Sequence, residues 1–361
     1  MSLLCAASDV RITLGDLKNA FQLQVSPSYS DDVTLTSLSD SLQSVTTGSL
    51  YMPSFEECGK ANVCDIVGSA EKRGAYAALL PASLKEEETS QSFGIPVLFG
   101  DLDIDKIGSL IAGFAGHPAD SMAVFAVCGS GATEAVMRIA SLLHVLGNPT
   151  GVISASKSCS IDRDLNLSFP LTISDVYQTL SVLSEDGLSS VVICMDDETL
   201  THTALTGVGI DVVGLTGEIP DYLCASECCD SSERIDSAQR SDSALSAPEQ
   251  SSAFESAGTP RSDTDLERTQ PINTDSNEAE LNYMHVKWAS DVLKKYGNGF
   301  SEITHVARAD KDDAALVRSV GESAKEEDLK ALAAAVAMAA AAGVRRNGIR
   351  DALRMSLKLD R

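Results

Sequence analysis

The stretch that decides the fold is MAVFAVCGSGATEAVMRIASLLHVLG, residues 122–147. It is typical of a buried strand, then a glycine turn, then an amphipathic helix with Val136, Ile139, Leu143 and Leu146 on one face. Nucleotide-binding domains hold phosphate with this arrangement, because the first turn of a helix has free N–H groups and a partial positive charge. We therefore predict a phosphate-binding turn between the strand and the helix.

The residues of this turn depart from those that a phosphate loop needs. A phosphate loop continues with a lysine for the β- and γ-phosphates and then a serine or threonine for magnesium. In this chain those two positions hold Thr133 and Glu134. Glu134 is interpreted as a stabilising carboxylate in the first helical turn. The candidate nucleotide-binding residues are Gly129, Ser130, Gly131 and Thr133, a phosphate cradle without its cation.

Length and composition indicate the class of protein. The chain has 361 residues, of which 43% are hydrophobic, and this favours two folded domains. Its formal net charge of -24 argues against nucleic-acid or membrane-surface binding, because both depend on Lys and Arg. No apolar run approaches the ~20 residues of a membrane span. We expect a cytoplasmic protein with no nucleic-acid partner and no membrane insertion.

The nine cysteines fit neither a disulfide framework nor a zinc site. Cys224, Cys228 and Cys229 come closest to a ligand cluster, but no histidine lies nearby in the sequence. We expect reduced thiols, and the sequence assigns no metal ligand.

The pattern along the chain predicts an α/β protein. A small mixed α/β domain is expected over residues 1–103, with a helical segment IVGSAEKRGAYAALL at 66–80. Regular alternation of strands and helices over 104–223 and 281–361 predicts a phosphate-loop-like domain, with a mostly parallel sheet covered by helices on both faces. Residues 224–280 are rich in Ser, Asp and Glu, and we interpret them as a disordered acidic insertion.

After the insertion the pattern again predicts regular structure. We expect a helix over LNYMHVKWASDVLKKYG, residues 281–297, then strands in EITHVARAD, 302–310, and ALVRSV, 315–320. Two helices follow. The alanine density of the first, residues 326–344, predicts close packing in the core.

With these elements in order, the chain resembles the Mur ligases, which add amino acids to UDP-N-acetylmuramoyl peptides in peptidoglycan synthesis. The UDP-N-acetylmuramyl-tripeptide synthetase branch looks closest. The resemblance is carried by seven segments: SDSLQSVTTGSLYMP (39–53), AEKRGAYAALL (70–80), FAGHPAD (114–120), MAVFAVCGSGATEA (122–135), EDGLSSVVICMDDETL (185–200), IDVVGLTGEIPDYL (210–223) and DLKALAAAVAMAAAAGVRRNGIRDAL (328–353).

The resemblance implies a first domain that binds the UDP end of the substrate and a second that uses ATP and Mg²⁺. Asp40 and Ser41 match the family's Asp-Ser-Arg segment as candidate substrate-binding residues, whereas Leu42 replaces its arginine. The chain ends at Arg361, about where the family's third domain begins, so the resemblance implies that this domain is missing.

Carried over residue by residue, most of the family's chemistry is absent. Thr133 stands at the lysine of the phosphate loop, and Cys194 at the magnesium-binding glutamate. Glu198 falls near the family's histidine position. Asp221 keeps the aspartate of the Asp-His motif, and Tyr222 replaces its histidine.

Three consecutive carboxylates, Asp196, Asp197 and Glu198, follow the predicted strand VVICM. Open α/β sheets bind ligands at the carboxyl ends of their strands, so these residues could hold Mg²⁺. The alternative interpretation, which we favour, is a solvated cap between this strand and a following helix. The candidate catalytic residues are therefore Asp221, Asp196, Asp197 and Glu198. A dinucleotide fingerprint is disfavoured, because Glu134 stands at the final glycine of G-x-G-x-x-G.

Two functions remain open at this point. The favoured one is a non-catalytic descendant of a Mur ligase that acts as a binding or regulatory protein in UDP-N-acetylmuramoyl-peptide metabolism. Its partner would be a UDP-N-acetylmuramoyl peptide, an active ligase or another cell-wall enzyme. The alternative is an ATP-dependent amide ligase that uses ATP and Mg²⁺. In that case residues 196–198 or a partner chain would supply the missing groups.

Overall fold

A computed structural model describes residues 2–4, 12–53, 62–85, 93–161, 163–220, 276–299, 304–320 and 326–359. The described parts of Met1–Glu218 and Ala289–Arg361 form one compact unit, and Ile219–Trp288 is a second. The first unit contains two large β-sheets. The predicted division of these sheets into domains at residue 103 stays a prediction.

The first sheet is mixed and is built from short strands. Its strand order is β1-β5-β6-β7-β8-β3, with parallel pairing from β5 to β8 and antiparallel pairing at both edges. The strands are β1 Ser2–Leu4, β3 Gln24–Ser26, β5 Ser37–Ser39, β6 Ser49–Tyr51, β7 Ala77–Leu80 and β8 Val97–Phe99. A separate ribbon pairs β2 Ile12–Thr13 with β4 Thr34–Leu35, and the helices are α1 Leu14–Phe21 and α2 Val63–Arg73.

The second sheet is mostly parallel. Its order is β12-β11-β10-β13-β9-β14-β15, and only the pairs β10–β11 and β11–β12 are antiparallel. The strands are β9 Ala123–Gly129, β10 Thr150–Ile153, β11 Cys159–Ser160, β12 Arg163–Asp164, β13 Ser190–Cys194, β14 Val212–Thr216 and β15 His305–Arg308. Every residue of β13 and β14 is buried, as expected of a parallel sheet covered on both faces. The predicted α/β class is confirmed.

Helices follow the strands of this sheet in the predicted alternation. They are α3 Ile104–Ala115, α4 Ala132–Val145, α5 Ile173–Glu185, α6 Ser276–Lys295, α7 Lys311–Val320, α8 Glu326–Ala341 and α9 Arg346–Leu359. Helix α4 packs against the sheet and against α8. The predicted inward face of α4 is confirmed for Val136, Ile139 and Leu143, which are at most 2% exposed, whereas Leu146 is half-buried.

The alanine-rich helix α8 is a core helix, as its composition predicted. All residues from Ala331 to Ala339 are buried, in contact with α4, β14 and β15. Met338 fills the space above Gly214 of β14, where any Cβ would overlap the methionine sulfur. The absent side chain at Gly214 therefore allows the sheet and the helix to approach closely.

Two predicted elements are wrong. The segment 66–80 is helical only to Arg73, because Gly74 adopts φ +104° and ends the helix before β7. The segment 315–320 is part of helix α7 and not a strand. Asp310 accepts a 2.7 Å hydrogen bond from the Asp313 backbone N–H, and Asp313 Oδ2 accepts one of 3.3 Å from the Asp310 N–H. This reciprocal capping starts a helix where the β-branched residues alone favoured a strand.

Helix α6 begins at Ser276, within the last five residues of the predicted insertion. The remainder of the predicted insertion, 224–275, lies outside the described residues. Within the described part of the chain, no helix has the length and apolar character needed to cross a membrane.

Candidate functional site

The predicted glycine turn lies at the centre of the second sheet. Strand β9 ends at Gly129, and helix α4 begins at Ala132. Gly129 has φ +106° and Gly131 φ +81°, in the left-handed region that favours glycine. A Cβ on Gly129 would overlap the carbonyl oxygen of Thr216 on the neighbouring strand β14. Close backbone packing and positive φ therefore both require glycine at position 129.

The turn is packed against the loop that follows β14. Gly217 has φ +80°, and a Cβ there would overlap the Ser130 hydroxyl oxygen. The Arg308 guanidinium donates a 2.8 Å hydrogen bond to the Gly217 carbonyl oxygen. Burial lowers the pKa of Arg308, although the nearby charge of Glu218 raises it. The turn is therefore held by its neighbours, and Ser130 is exposed at its tip.

At the start of α4, Thr133 faces the end of strand β13. Thr133 is half-buried, whereas Glu134 is exposed to solvent. Cys194, the last residue of β13, is fully buried. Burial, then the hydrogen bond to Asp196, raises the pKa of the Cys194 thiol well above its usual range, and hydrogen bonds with Thr133 and Ser154 lower it only in part. Cys194 is therefore a neutral thiol bounded by hydroxyl groups and one carboxylate.

Asp196 has the geometry of a cap. Its Oδ1 accepts a 2.7 Å hydrogen bond from the Thr199 backbone N–H, and its Oδ2 accepts one of 2.9 Å from the Cys194 thiol. Its backbone oxygen accepts from the N–H groups of Thr199 and Leu200 at 3.2 and 3.0 Å. Both carboxylate oxygens are thus engaged by the chain itself.

Asp197 is bound by the segment at the end of α6. Its Oδ1 lies 2.6 Å from Lys295 Nζ and accepts a 3.0 Å hydrogen bond from the Tyr296 hydroxyl. These hydrogen bonds hold the pKa of Asp197 below its usual range, while burial and Asp197 raise the pKa of Tyr296. Glu198, the third carboxylate, is exposed.

The remaining predicted site residues lie elsewhere. Asp40 and Ser41 follow β5 in the first sheet and are half-buried. Ser41 precedes a short 3₁₀ turn at Leu42–Ser44, and its backbone oxygen accepts a 2.9 Å hydrogen bond from the Ser44 hydroxyl. Asp221 lies outside the described residues.

Solved structures give the comparison that identifies this architecture. The chain is similar to a UDP-N-acetylmuramoyl-L-alanyl-D-glutamate–2,6-diaminopimelate ligase, with a TM-score of 0.51 and 10% sequence identity, over 96% of this chain and 67% of the ligase. It has a Mur-ligase-like fold. A UDP-N-acetylmuramoylalanyl-D-glutamyl-2,6-diaminopimelate–D-alanyl-D-alanyl ligase from Acinetobacter baumannii also matches, with a TM-score of 0.47 and 13% identity, over 96% and 70% of the two chains. No protein-family model matches the chain, and no curated protein matches it.

The Mur-ligase-like fold brings together two positions that the resemblance had assigned to separate roles. The resemblance places Thr133 at the phosphate-loop lysine and Cys194 at the magnesium-binding glutamate, and hydrogen bonding with Thr133 lowers the pKa of the Cys194 thiol in part. What stands at the two positions is a hydroxyl and a neutral thiol.

These residues do not fit ATP and Mg²⁺, the groups that the resemblance implies. Mg²⁺ prefers oxygen ligands in octahedral geometry, and a protonated thiol supplies none. Asp196 is occupied as a cap, and Asp197 is neutralised by Lys295. Among the described residues, no group of three or more His, Cys, Asp or Glu side chains is arranged to hold a metal ion. Among the described residues at this edge, Cys194 is therefore a protonated thiol, and the carboxylates of Asp196 and Asp197 are already bonded within the chain.

Sequence reasoning missed Lys295, Tyr296 and Ser154. Lys295 and Tyr296 are 98 and 99 residues from Asp197, so no local pattern links them to it. Ser154 follows β10 at the same edge as Cys194, because β10 pairs in parallel with β13. Ser154 could have been placed near Cys194 only from the strand order, and sequence periodicity does not give the strand order.

Proposed function

We propose that the protein is a non-catalytic relative of the Mur ligases that acts as a binding or regulatory protein in UDP-N-acetylmuramoyl-peptide metabolism. The observation that carries the proposal is the contact of Thr133 with the buried Cys194 thiol at the positions of the family's lysine and glutamate. It is supported by the cap geometry of Asp196, which leaves neither carboxylate oxygen without a partner.

The physical reason is the electrostatic demand of phosphoryl transfer. Positioning and neutralisation of the phosphate charges account for almost all of its catalysis. Loss of one donor that stabilises a transition state typically lowers the rate about 10²- to 10³-fold. Here a hydroxyl replaces the lysine, a thiol replaces the glutamate, and Glu134 adds a negative charge in the same helical turn. The three changes all disfavour an ATP phosphate at this turn.

The proposed ligand is a UDP-N-acetylmuramoyl peptide. Its support is the fold shared with a ligase named for that class of substrate, together with Asp40 and Ser41 of the matching segment in the first sheet. The proposed partner is an active ligase or another cell-wall enzyme, to which the protein would present or withhold the precursor.

Calorimetric titration with Mg-ATP and, separately, with a UDP-N-acetylmuramoyl peptide tests the proposal. We expect no heat of binding with Mg-ATP and saturable binding of the UDP peptide. Asp40→Ala and Ser41→Ala are expected to weaken binding of the UDP peptide at least tenfold. Asp65→Ala, which changes an exposed carboxylate of α2, serves as the control and should leave the affinity unchanged.

The alternative, an ATP-dependent amide ligase completed by a partner, is favoured by one observation. The glycine turn and the start of α4 are retained, and the N-cap residue Gly131 has no side chain to satisfy the first N–H groups of the helix. Micromolar binding of Mg-ATP that is abolished by Asp196→Ala would support this alternative and overturn the non-catalytic proposal.

A further inference from the structure

A cavity lies beside helix α5, apart from the glycine turn. Its volume is about 190 Å³. One wall is the inner side of α5 with Gln178, Thr179 and Val182, and the other is the segment 165–168 together with Leu171. Most of the lining surface is apolar. A space of this size is large enough for a molecule of one or two rings, because apolar protein cavities of about 150 Å³ bind benzene.

The walls of the cavity are fixed by backbone hydrogen bonds. The Leu165 N–H donates to the Ser158 oxygen at 2.8 Å, which ties the segment to the edge of the second sheet. Leu171 is held between Thr199 and Thr201 by bonds of 2.8 and 2.9 Å. The cavity is therefore preformed, and a ligand would not have to order its walls on binding.

One polar group of the lining has no partner. Gln178 Oε1 is buried and accepts no hydrogen bond from the described residues. An unsatisfied buried acceptor costs about 1–3 kcal/mol of folding free energy. Gln178 lines the cavity, and the terminal torsion of a glutamine side chain is soft, so a small rotation of the amide can present this oxygen to a ligand.

Two further polar side chains of the lining, Thr179 and Asp175, are engaged within the chain. The Thr179 hydroxyl donates a 2.7 Å hydrogen bond to the Asp175 backbone oxygen. The Asp175 carboxylate accepts from the N–H and the hydroxyl of Thr172 at 3.0 and 2.8 Å. The remaining polar side chains of the lining, Asn166 and Ser168, are exposed to solvent, and the surface of the cavity is mainly apolar, which favours an apolar molecule.

We propose that this cavity binds a small apolar molecule of one or two rings that carries a single N–H or O–H donor for Gln178. The apolar body would replace the contacts missing between α5 and the segment 165–168, and the donor would satisfy Gln178 Oε1. This inference does not rest on the proposed function, because none of the cavity residues belongs to the candidate site.

Indole and indene form a matched pair of probes, because they share one shape and only indole has an N–H donor. Binding of each is measured by calorimetry on the full chain. We expect indole to bind about three- to tenfold more tightly than indene, the range that one net hydrogen bond provides. A crystal structure with indole is expected to place its N–H within hydrogen-bonding distance of Gln178 Oε1.

Two variants and a control make the test specific. Gln178→Leu is expected to remove the preference for indole, and Val182→Phe to weaken both probes by filling the cavity. Glu185→Gln, on the same helix but outside the cavity, is expected to bind like the wild type. No binding of either probe, equal affinities for the wild type, or a preference that survives Gln178→Leu would each overturn the proposal. Circular dichroism checks that the variants are folded, and Gln178→Leu nearly preserves volume.

Discussion

The Cys194 thiol donates a 2.9 Å hydrogen bond to Oδ2 of Asp196, two residues further along the chain. The bond joins the end of strand β13 to the turn that follows it. Because Asp196 also accepts from the Thr199 N–H, one carboxylate holds both the strand end and the turn. Asp196 therefore stabilises both the end of β13 and the turn that follows it.

Replacement of Asp196 is expected to cost stability. Asp196→Ala removes two side-chain hydrogen bonds, each worth about 1 kcal/mol, so we expect the free energy of unfolding to fall by about 2 kcal/mol. Asp196→Asn keeps Oδ1 and is expected to lose about half as much. Urea denaturation measures both. Glu198→Ala, at an exposed neighbour, should change stability by less than about 0.5 kcal/mol, and an equal loss there would contradict the cap interpretation.

The two glycines of the turn should differ in their tolerance of alanine. At both positions alanine must adopt positive φ, at a cost of about 1–2 kcal/mol. Only at Gly129 would the new Cβ also overlap the Thr216 carbonyl, whereas no atom of the described residues lies within 4 Å of a Cβ on Gly131. We expect Gly129→Ala to lower the melting temperature markedly more than Gly131→Ala. Similar losses in a thermal melt would argue against the close approach of β14.

Tyr177 is expected to make the fold sensitive to alkali. Burial, and then the charge of Asp120, raises the pKa of Tyr177 to about 12, and its hydroxyl donates to the Thr206 oxygen. An unfolded tyrosine titrates near 10, so the folded state retains the proton over a range where the unfolded state loses it. The stabilisation is complete below pH 10 and is lost as the pH rises towards 12.

The loss should be visible in a comparison with Tyr177→Phe. The difference in unfolding free energy between wild type and variant should shrink by on the order of 2 kcal/mol from pH 10 to 12. Urea titrations at several pH values measure it. Leu180→Ala, which removes no titratable group from the same helix, is the control. If the difference between the wild type and Tyr177→Phe is as independent of pH as the difference between the wild type and Leu180→Ala, Tyr177 is not the group responsible for the alkaline loss of stability.

The interface of α8 with α4 and the second sheet should not accept larger residues. Ala335 is fully buried, and overpacking a tight core typically costs about 1–3 kcal/mol. Ala335→Leu is therefore expected to destabilise the protein by that amount in a urea titration. The same substitution at the exposed Ala315 of α7 should have little effect. Tolerance at Ala335 would mean that the alanines are not closely packed.

Local sequence patterns predicted much of the second sheet because its strands are continuous apolar runs and its helices have clear faces. The end of β9, the turn at Gly129 and the inward face of α4 follow from these patterns. The strand predicted at 315–320 is wrong because reciprocal capping by Asp310 and Asp313 starts a helix there, which outweighs the strand preference of Val317 and Val320. A cap decides a short element when its periodicity is ambiguous.

The candidate site was less predictable than the fold. The contact between Thr133 and Cys194 depends on β13 lying next to β9, which is a matter of strand order and not of local pattern. The partners of Asp197 come from a helix almost one hundred residues away. The interpretation favoured from the sequence was a solvated strand-to-helix cap. Asp196 does accept the Thr199 N–H, but the residues that follow it form a turn and not a helix.

The close approach of Met338 to Gly214 is expected to constrain the two positions together in evolution. A side chain added on β14 needs volume removed from α8, so neither position can change freely while the other stays fixed. Among proteins with this sheet and helix, an alanine or larger residue at the Gly214 position is expected together with a residue smaller than methionine at the Met338 position. Such covariation would identify relatives that have kept this packing after their sequences have otherwise diverged.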